Sequence, residues 1–337
     1  MLRDFTELVD LASERVGGVA LAANDEFFAP QENLLKSSRP VFIQDRYTDR
    51  GKWMDGWETR RRRTPGHDWC LIKLGLPGII RGLVVDTSHF KGNYPEQCSL
   101  EACHAGAGAR IEELRSAATS WVVILPQSAL KGDTANRFPI ENPNRFTHVR
   151  LNIFPDGGVA RLRVYGEVVP DWARLGSPEA GVDLAAVENG GLVLACSDMF
   201  FGSRHNLLLP GRARHMGEGW ETRRRRGPGH DWVLIRLGAT GTVEKIEVDT
   251  AHFKGNYPES CSLEGCRAEG ASLDALTSSR VNWGEVLPRT QLAADTQYVF
   301  ENELHSVGPI THVRFNIFPD GGVSRLRVFG QIRREGR

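Results

Sequence analysis

Apolar and polar residues alternate along much of this chain. Val149, Leu151 and Ile153 are interleaved with His148, Arg150 and Asn152, and a few residues later Ala160, Leu162 and Val164 are interleaved with Arg161, Arg163 and Tyr165. A period of two is that of a strand with one buried face. The intervening Pro155-Asp156-Gly157-Gly158 supplies the turn of a hairpin. Residues 69–74 and 121–125 are further β-rich runs, whereas the stretches Val9-Asp10-Leu11-Ala12 and Val182-Asp183-Leu184-Ala185 predict one short helix each. Strands bounded by Gly, Pro, Asn and Asp, with almost no long amphipathic helix, predict an all-β antiparallel sandwich or jelly roll and exclude a doubly wound α/β fold.

The pattern is written twice. Residues 56–103 (GWETRRRR…VDTSHFKGNYPEQCSLEAC) return at 219–266 with 34 of 48 positions identical, and 147–166 (THVRLNIFPDGGVARLRVYG) returns at 311–330. A period of about 165 residues is too long for a solenoid unit and marks a duplicated domain. The expected domains are residues 1–170 and 180–332, two tandem homologous β-sandwiches joined through the Pro- and Gly-bearing stretch 170–181.

Composition changes this picture little. The 337 residues suffice for two domains, each with its own core. The 42 basic residues balance 42 acidic ones, so no global field draws in a nucleic acid or an anionic membrane. The first 16 residues carry Asp4, Glu7, Asp10 and Glu14 and lack a continuous apolar run, so no secretory signal is read there. No stretch approaches the roughly 20 apolar residues of a spanning helix. A cytoplasmic protein with six reduced cysteines is expected.

The candidate chemistry lies in the duplicated blocks. In an extended run the four arginines 60–63 and 223–226 point alternately to opposite sides, so Arg60 and Arg62, with Arg223 and Arg225, either face a ligand or pair with local acids. An arginine fork suits a carboxylate. His67 and His230 follow them, and Glu58 and Glu221 precede them. The loop 86–96 brings Asp86, His89, Lys91 and Asn93 together after an apolar strand, and Asp249, His252, Lys254 and Asn256 repeat it. Loops on a rigid sandwich are where sites are built, although such polar residues also hold a loop together by themselves. His148, Arg150 and Asn152 share one strand face, as do His312, Arg314 and Asn316; the alternatives are a pocket wall or a solvent face. Cys98 and Cys103, echoed by Cys261 and Cys266, do not fit the common zinc spacing, and their odd separation places them on opposite faces of a strand. They read as small buried hydrophobes. A divalent ion on histidines and carboxylates stays an open alternative, and no other cofactor is called for.

The paired blocks GWETRRRRxPGHDW, VDTxHFKGNYPExCSLE and HVRxNIFPDGGVxRLRVxG resemble the allantoicase family over nearly the whole chain. The resemblance implies two jelly-roll domains of the galactose-binding-like kind, a homo-oligomer, and hydrolysis of allantoate to ureidoglycolate and urea. Allantoate carries one carboxylate and two ureido groups on a single carbon. A site for it needs a cation for the acid and a general acid/base for the departing urea. His89 or His252 is the expected acid/base, with Glu58, Asp86 and their repeats Glu221 and Asp249 as alternatives. Lys91 and Arg150 would neutralise the carboxylate or polarise a carbonyl. The rival reading is a non-catalytic galactose-binding-like module, because fold alone does not fix function.

Overall fold

The computed structural model describes residues 4–106, 108–172 and 181–333. The chain divides into two compact units, Met1–Val169 and Pro170–Arg337. Most of the expected connecting stretch, 173–180, lies outside the described residues.

The first unit carries β1 (Val9–Asp10), β2 (Val19–Ala23), β3 (Tyr47–Thr48), β4 (Gly51–Lys52), β5 (Trp57–Glu58), β6 (Asp68–Asp86), β7 (Gln97–Cys103), the one-turn α1 (Ile111–Arg115), β8 (Val122–Ala129), β9 (Ala135–Pro139), β10 (Arg145–Phe154), β11 (Gly158–Val159) and β12 (Arg161–Val168). The second repeats the order with β13 (Val182–Asp183), β14 (Leu192–Cys196), β15 (Trp220–Glu221), β16 (Asp231–Asp249), β17 (Ser260–Cys266), α2 (Leu273–Thr277), β18 (Gly284–Gln291), β19 (Gln297–Phe300), β20 (Ile310–Phe318), β21 (Gly322–Val323) and β22 (Arg325–Ile332). Among the described residues only β3 and β4 have no counterpart.

The long β6 organises each sandwich. Its first part pairs with β2 and β10, and its last part pairs with β9 and β12, all antiparallel. The strand therefore passes from one layer, β2-β6-β10-β7-β8, into the other, β9-β6-β12-β1. β16 does the same in the second unit. The core is the row predicted by alternation: Val149, Leu151, Ile153, Leu162 and Val164 are all fully buried.

The opposite rows are not the open solvent face that alternation suggests. His148, Asn152 and Arg161 are buried as well. α1 and its flanks pack on the outer side of the first layer, where Leu71, Cys103 and Leu114 form a second apolar cluster. Residues 38–55 cover Arg161, whose Nε donates to the Ser38 carbonyl at 3.0 Å and whose Nη2 meets Asp55 Oδ2 at 2.6 Å. Cys98 is in the core and Cys103 lies beneath α1, so the two thiols face opposite sides; burial pushes them up to about 12 and about 11.

The short helix expected at 9–12 is instead β1, paired with β12. Asp10 decides this. Its Oδ1 accepts from Ala12 N at 3.2 Å and Val164 N at 3.0 Å, which turns the chain outward and competes with a helical ladder. At its counterpart 182–185, Val182–Asp183 form β13 and the next two residues turn. No helix among the described residues is long and apolar enough to cross a membrane.

Candidate active site

Three sequence blocks meet at one end of each sandwich. β5 pairs with β11 through Trp57↔Val159 and Glu58↔Gly158, which joins the GWE block to the PDGG turn. The loop 86–96 docks on the same turn, because Gly158 N donates to the Asn93 carbonyl at 2.7 Å. Glycine is required there. A Cβ on Gly157, whose φ is 135°, would lie 2.8 Å from the Asn93 oxygen, and one on Gly158 would lie 2.0 Å from the Phe90 ring.

The loop is fixed from within. Asp86 Oδ1 accepts from Ser88 N at 2.8 Å, and the buried Thr87 donates its hydroxyl to the Lys131 carbonyl at 2.6 Å. His89 sits at φ 71° with its N–H donating to Asp133 Oδ1 at 2.7 Å, and His252 matches it at φ 71° and 2.7 Å from Asp295. A left-handed histidine is strained and persists only where its surroundings over-determine it, as they do twice here.

In the first repeat this framework encloses a cup of about 490 Å³ lined by Phe28, Phe42, Lys52, Met54, Glu58, His89, Lys91, Gly92 and Asn93. Asn93 Nδ2 donates to Glu58 Oε1 at 2.6 Å. Burial raises the Glu58 carboxyl above its ordinary value, and the Asn93 amide opposes that rise. His89 Nε2 lies 3.3 Å from the Pro40 carbonyl. A carbonyl can only accept, so Nε2 carries the proton and the neutral ring keeps its lone pair on Nδ1. Phe42 stacks on the same ring with centroids 5.7 Å apart. The cup thus joins a carboxyl of raised pKa, an oriented imidazole and the ammonium groups of Lys52 and Lys91.

The other expected residues lie elsewhere. Arg60 pairs with Asp25 at 2.6 Å, and Arg62 pairs with the buried Asp68 at 2.6 Å; Arg223 and Arg225 do the same with Asp198 at 3.0 Å and Asp231 at 2.7 Å. In each repeat this pair ties the loop to the sandwich. Asp86 closes its own turn and is not on the cup wall, whereas Asp249 is held by Arg212 at 2.9 Å. Lys254 is exposed.

Arg150 and Asn152 form a separate cluster on the outer sheet face, both donating to Glu101 Oε2, at 2.7 and 2.9 Å, with Arg150 over the Trp121 ring. Burial pushes the Glu101 carboxyl up, but the Arg150 and Asn152 hydrogen bonds outweigh it and hold it below the usual range. Arg314 and Asn316 repeat this on Glu264 at 2.7 and 3.0 Å. His67 and His230 pack on Phe154 and Phe318 beside these clusters. His148 and His312 are buried with Nδ1 on a threonine hydroxyl, and burial lowers both to about 4. None of these residues lines the first cup. Among the described residues, no group of three or more His, Cys, Asp or Glu side chains is gathered in a metal-binding arrangement.

The second repeat keeps the Glu221–Asn256 hydrogen bond and sets His252 Nε2 2.9 Å from the Ala213 carbonyl. Its cavity differs. The space of about 750 Å³ that Glu221 and Asn256 line runs toward Arg224, Tyr257, Glu259 and Asp320, and His252 is not on its wall.

Sequence reasoning missed Phe28, Phe42, Lys52 and Met54. Their signal was a spacing: Phe28 to Gly56 is 28 positions, but the matching Phe201 to Gly219 is 18, so the first repeat holds ten extra residues just before Glu58.

Comparison with known proteins places this geometry in a wider set. The model of the Allantoicase repeat matches residues 9–169 and 182–333. A probable allantoicase 1 of Burkholderia mallei is 51% identical over 324 residues, covering 96% of this chain and 94% of the relative. A probable allantoicase of Pseudomonas aeruginosa is 50% identical, covering 97% of this chain and 96% of its own length. The crystal structure of allantoicase from Saccharomyces cerevisiae superposes with a TM-score of 0.79 at 38% identity, covering 96% of this chain and 93% of the yeast chain.

Proposed function

The chain belongs to the allantoicase family, and from that premise we propose that it hydrolyses allantoate to (S)-ureidoglycolate and urea at the cup of the first repeat. The carrying observation is the Glu58–Asn93 pair, a carboxyl raised by burial and held by one amide in the same cup as an oriented histidine. A carboxyl raised toward neutral pH is a better proton acceptor than an ordinary one.

In the reaction, water adds its oxygen to the central carbon, the bond from that carbon to one ureido nitrogen breaks, and the departing nitrogen gains a proton as urea leaves. Glu58 takes the proton from the attacking water. His89, when doubly protonated, gives one to the leaving nitrogen. Lys52 and Lys91 face the substrate carboxylate, and the Asn93 amide orients Glu58. A binding-only module would give the half-buried Glu58 carboxyl no work to do.

Assembly as a homo-oligomer and a cytoplasmic location belong to the same proposal, the first supported by the family resemblance and the second by six cysteines outside any disulfide. The balance of charges speaks against nucleic acid and membrane partners. The test is urea release by the purified protein given allantoate. Steady turnover is expected, and no release above the protein-free rate would sink the assignment.

A further inference from the structure

The two repeats can be aligned through their own contacts. Ser38 and Gly211 present matching carbonyls to Arg161 and Arg325 at 3.0 Å, and Val41 N and Arg214 N donate to Asp55 and Glu218. The offset between these pairs falls from 173 at Val41/Arg214 to 163 at Asp55/Glu218, so the ten extra residues lie between Val41 and Asp55. Counting back from Asp55/Glu218 sets Lys52 opposite His215. Residues 42–52 hold the β3–β4 hairpin and end beside the cup.

This insertion puts two things into the first cup that the second lacks. Phe42 stacks on His89 and leaves about half of its surface open. Lys52 Nζ lies 4.9 Å from the centres of both the Phe42 and the Tyr47 rings. Aromatic faces position an ammonium without neutralising it. Among the described residues no carboxylate lies within ion-pair distance of Lys52, whereas Lys91 has Asp133 at 3.8 Å. In the second repeat the corresponding His215 has its Nε2 3.9 Å from Glu218 Oε1.

We infer that residues 42–52 are the substrate-selecting element of this protein: Lys52 binds the carboxylate and Phe42 covers the substrate against His89, so the first cup is competent and the second is not. This rests on the hydrolysis reading above. An unneutralised cation held by rings, at the wall that carries the raised carboxyl, fits a small substrate that pairs one carboxylate with planar, uncharged ureido groups.

The test measures urea release and allantoate binding for the full-length wild type, Lys52→Gln, Lys52→Arg, Phe42→Ala and a splice that joins Val41 to Lys52. Lys52→Gln is expected to raise KM about 10- to 100-fold, the size of one charge-assisted hydrogen bond, with kcat within about threefold. Lys52→Arg should restore most of the loss, and Phe42→Ala should raise KM by a smaller factor. The splice mirrors the second repeat and should lower kcat/KM at least about 100-fold. If the splice does not fold, the point variants decide. A KM for Lys52→Gln within twofold of wild type overturns the inference while leaving the hydrolysis reading intact. A wild type that releases no urea overturns the hydrolysis reading instead; calorimetric titration with allantoate then decides the inference, with about tenfold weaker binding by Lys52→Gln supporting it and equal binding ending it.

Discussion

The two cups share a frame and differ in what fills it. Each has a glutamate held by an asparagine, a left-handed histidine held by an aspartate, and a turn of paired glycines on which the loop rests. In the first, glutamate, asparagine and histidine share the wall of one cavity, and among the described residues the first also has an inserted hairpin whose Lys52 ammonium has no carboxylate beside it. Duplication preserved the scaffold of a site twice, while a local difference of chain length sets the two copies apart. Identity between repeats reports the frame more faithfully than it reports the chemistry.

If the frame is common, damage to it should cost the same in either copy. Arg161 is buried against Asp55, and Arg325 sits in the same place beside Glu218. Removing one partner of a buried pair strands the other, so Arg161→Met and Arg325→Met should each destabilise the protein by about 3 to 5 kcal/mol. Chemical denaturation followed by fluorescence checks this. A large cost in one repeat and none in the other would break the claim of a shared frame.

The next effect is acid-dependent and again common to both copies. Burial, reinforced by Lys73 and His104, lowers His148 to about 4, and burial with Arg236 lowers His312 to about 4 against the opposing Glu269. These folded values lie below the ordinary histidine value of about 6.5, so the unfolded chain binds more protons between the two, and stability rises with pH in that window. The contribution is present above pH ~6.5 and is lost as pH falls toward about 4, by up to about 3 kcal/mol per histidine. Melting temperatures measured from pH 7 to 4.5 should fall, less steeply in His148→Asn or His312→Asn. An unchanged slope in both variants would show that neither ring titrates with folding.

A smaller and asymmetric effect belongs to the asparagines. Asn93 holds the Glu58 carboxyl down against the rise caused by burial. In Asn93→Ala that restraint goes, so the acid limb of the kcat/KM profile should move to higher pH, because more of the carboxyl is protonated at a given pH. Asn256→Ala should leave the limb where it is. A limb that moves for Asn256 and not for Asn93 would reverse the assignment of the working cup.

Much of the frame was legible in the sequence because it depends on period and repetition. Val149, Leu151 and Ile153 are buried as their alternation requires, and the duplicated blocks fold as two matching sandwiches. What alternation cannot reveal is what covers the opposite row. His148, Asn152 and Arg161 look like a solvent face until α1 and the segment 38–55 fold over them, a contact made across more than 100 residues for Arg161 and Ser38. The same limit applies to the arginine run, whose partners Asp25 and Asp68 lie on either side of it in sequence with nothing to mark them as acceptors. Glu58, His89, Lys91 and Asn93 stood out because they recur. Phe42 and Lys52 did not, because they belong to the part that was not duplicated.

The most direct test of the account compares two single substitutions, Glu58→Gln and Glu221→Gln, in urea release from allantoate by protein whose melting is unchanged. Loss of a general base predicts a fall in kcat of about 100-fold or more for Glu58→Gln, and a rate within about threefold of wild type for Glu221→Gln. Equal losses in the two variants, or wild-type turnover by Glu58→Gln, would contradict a single working cup built on Glu58.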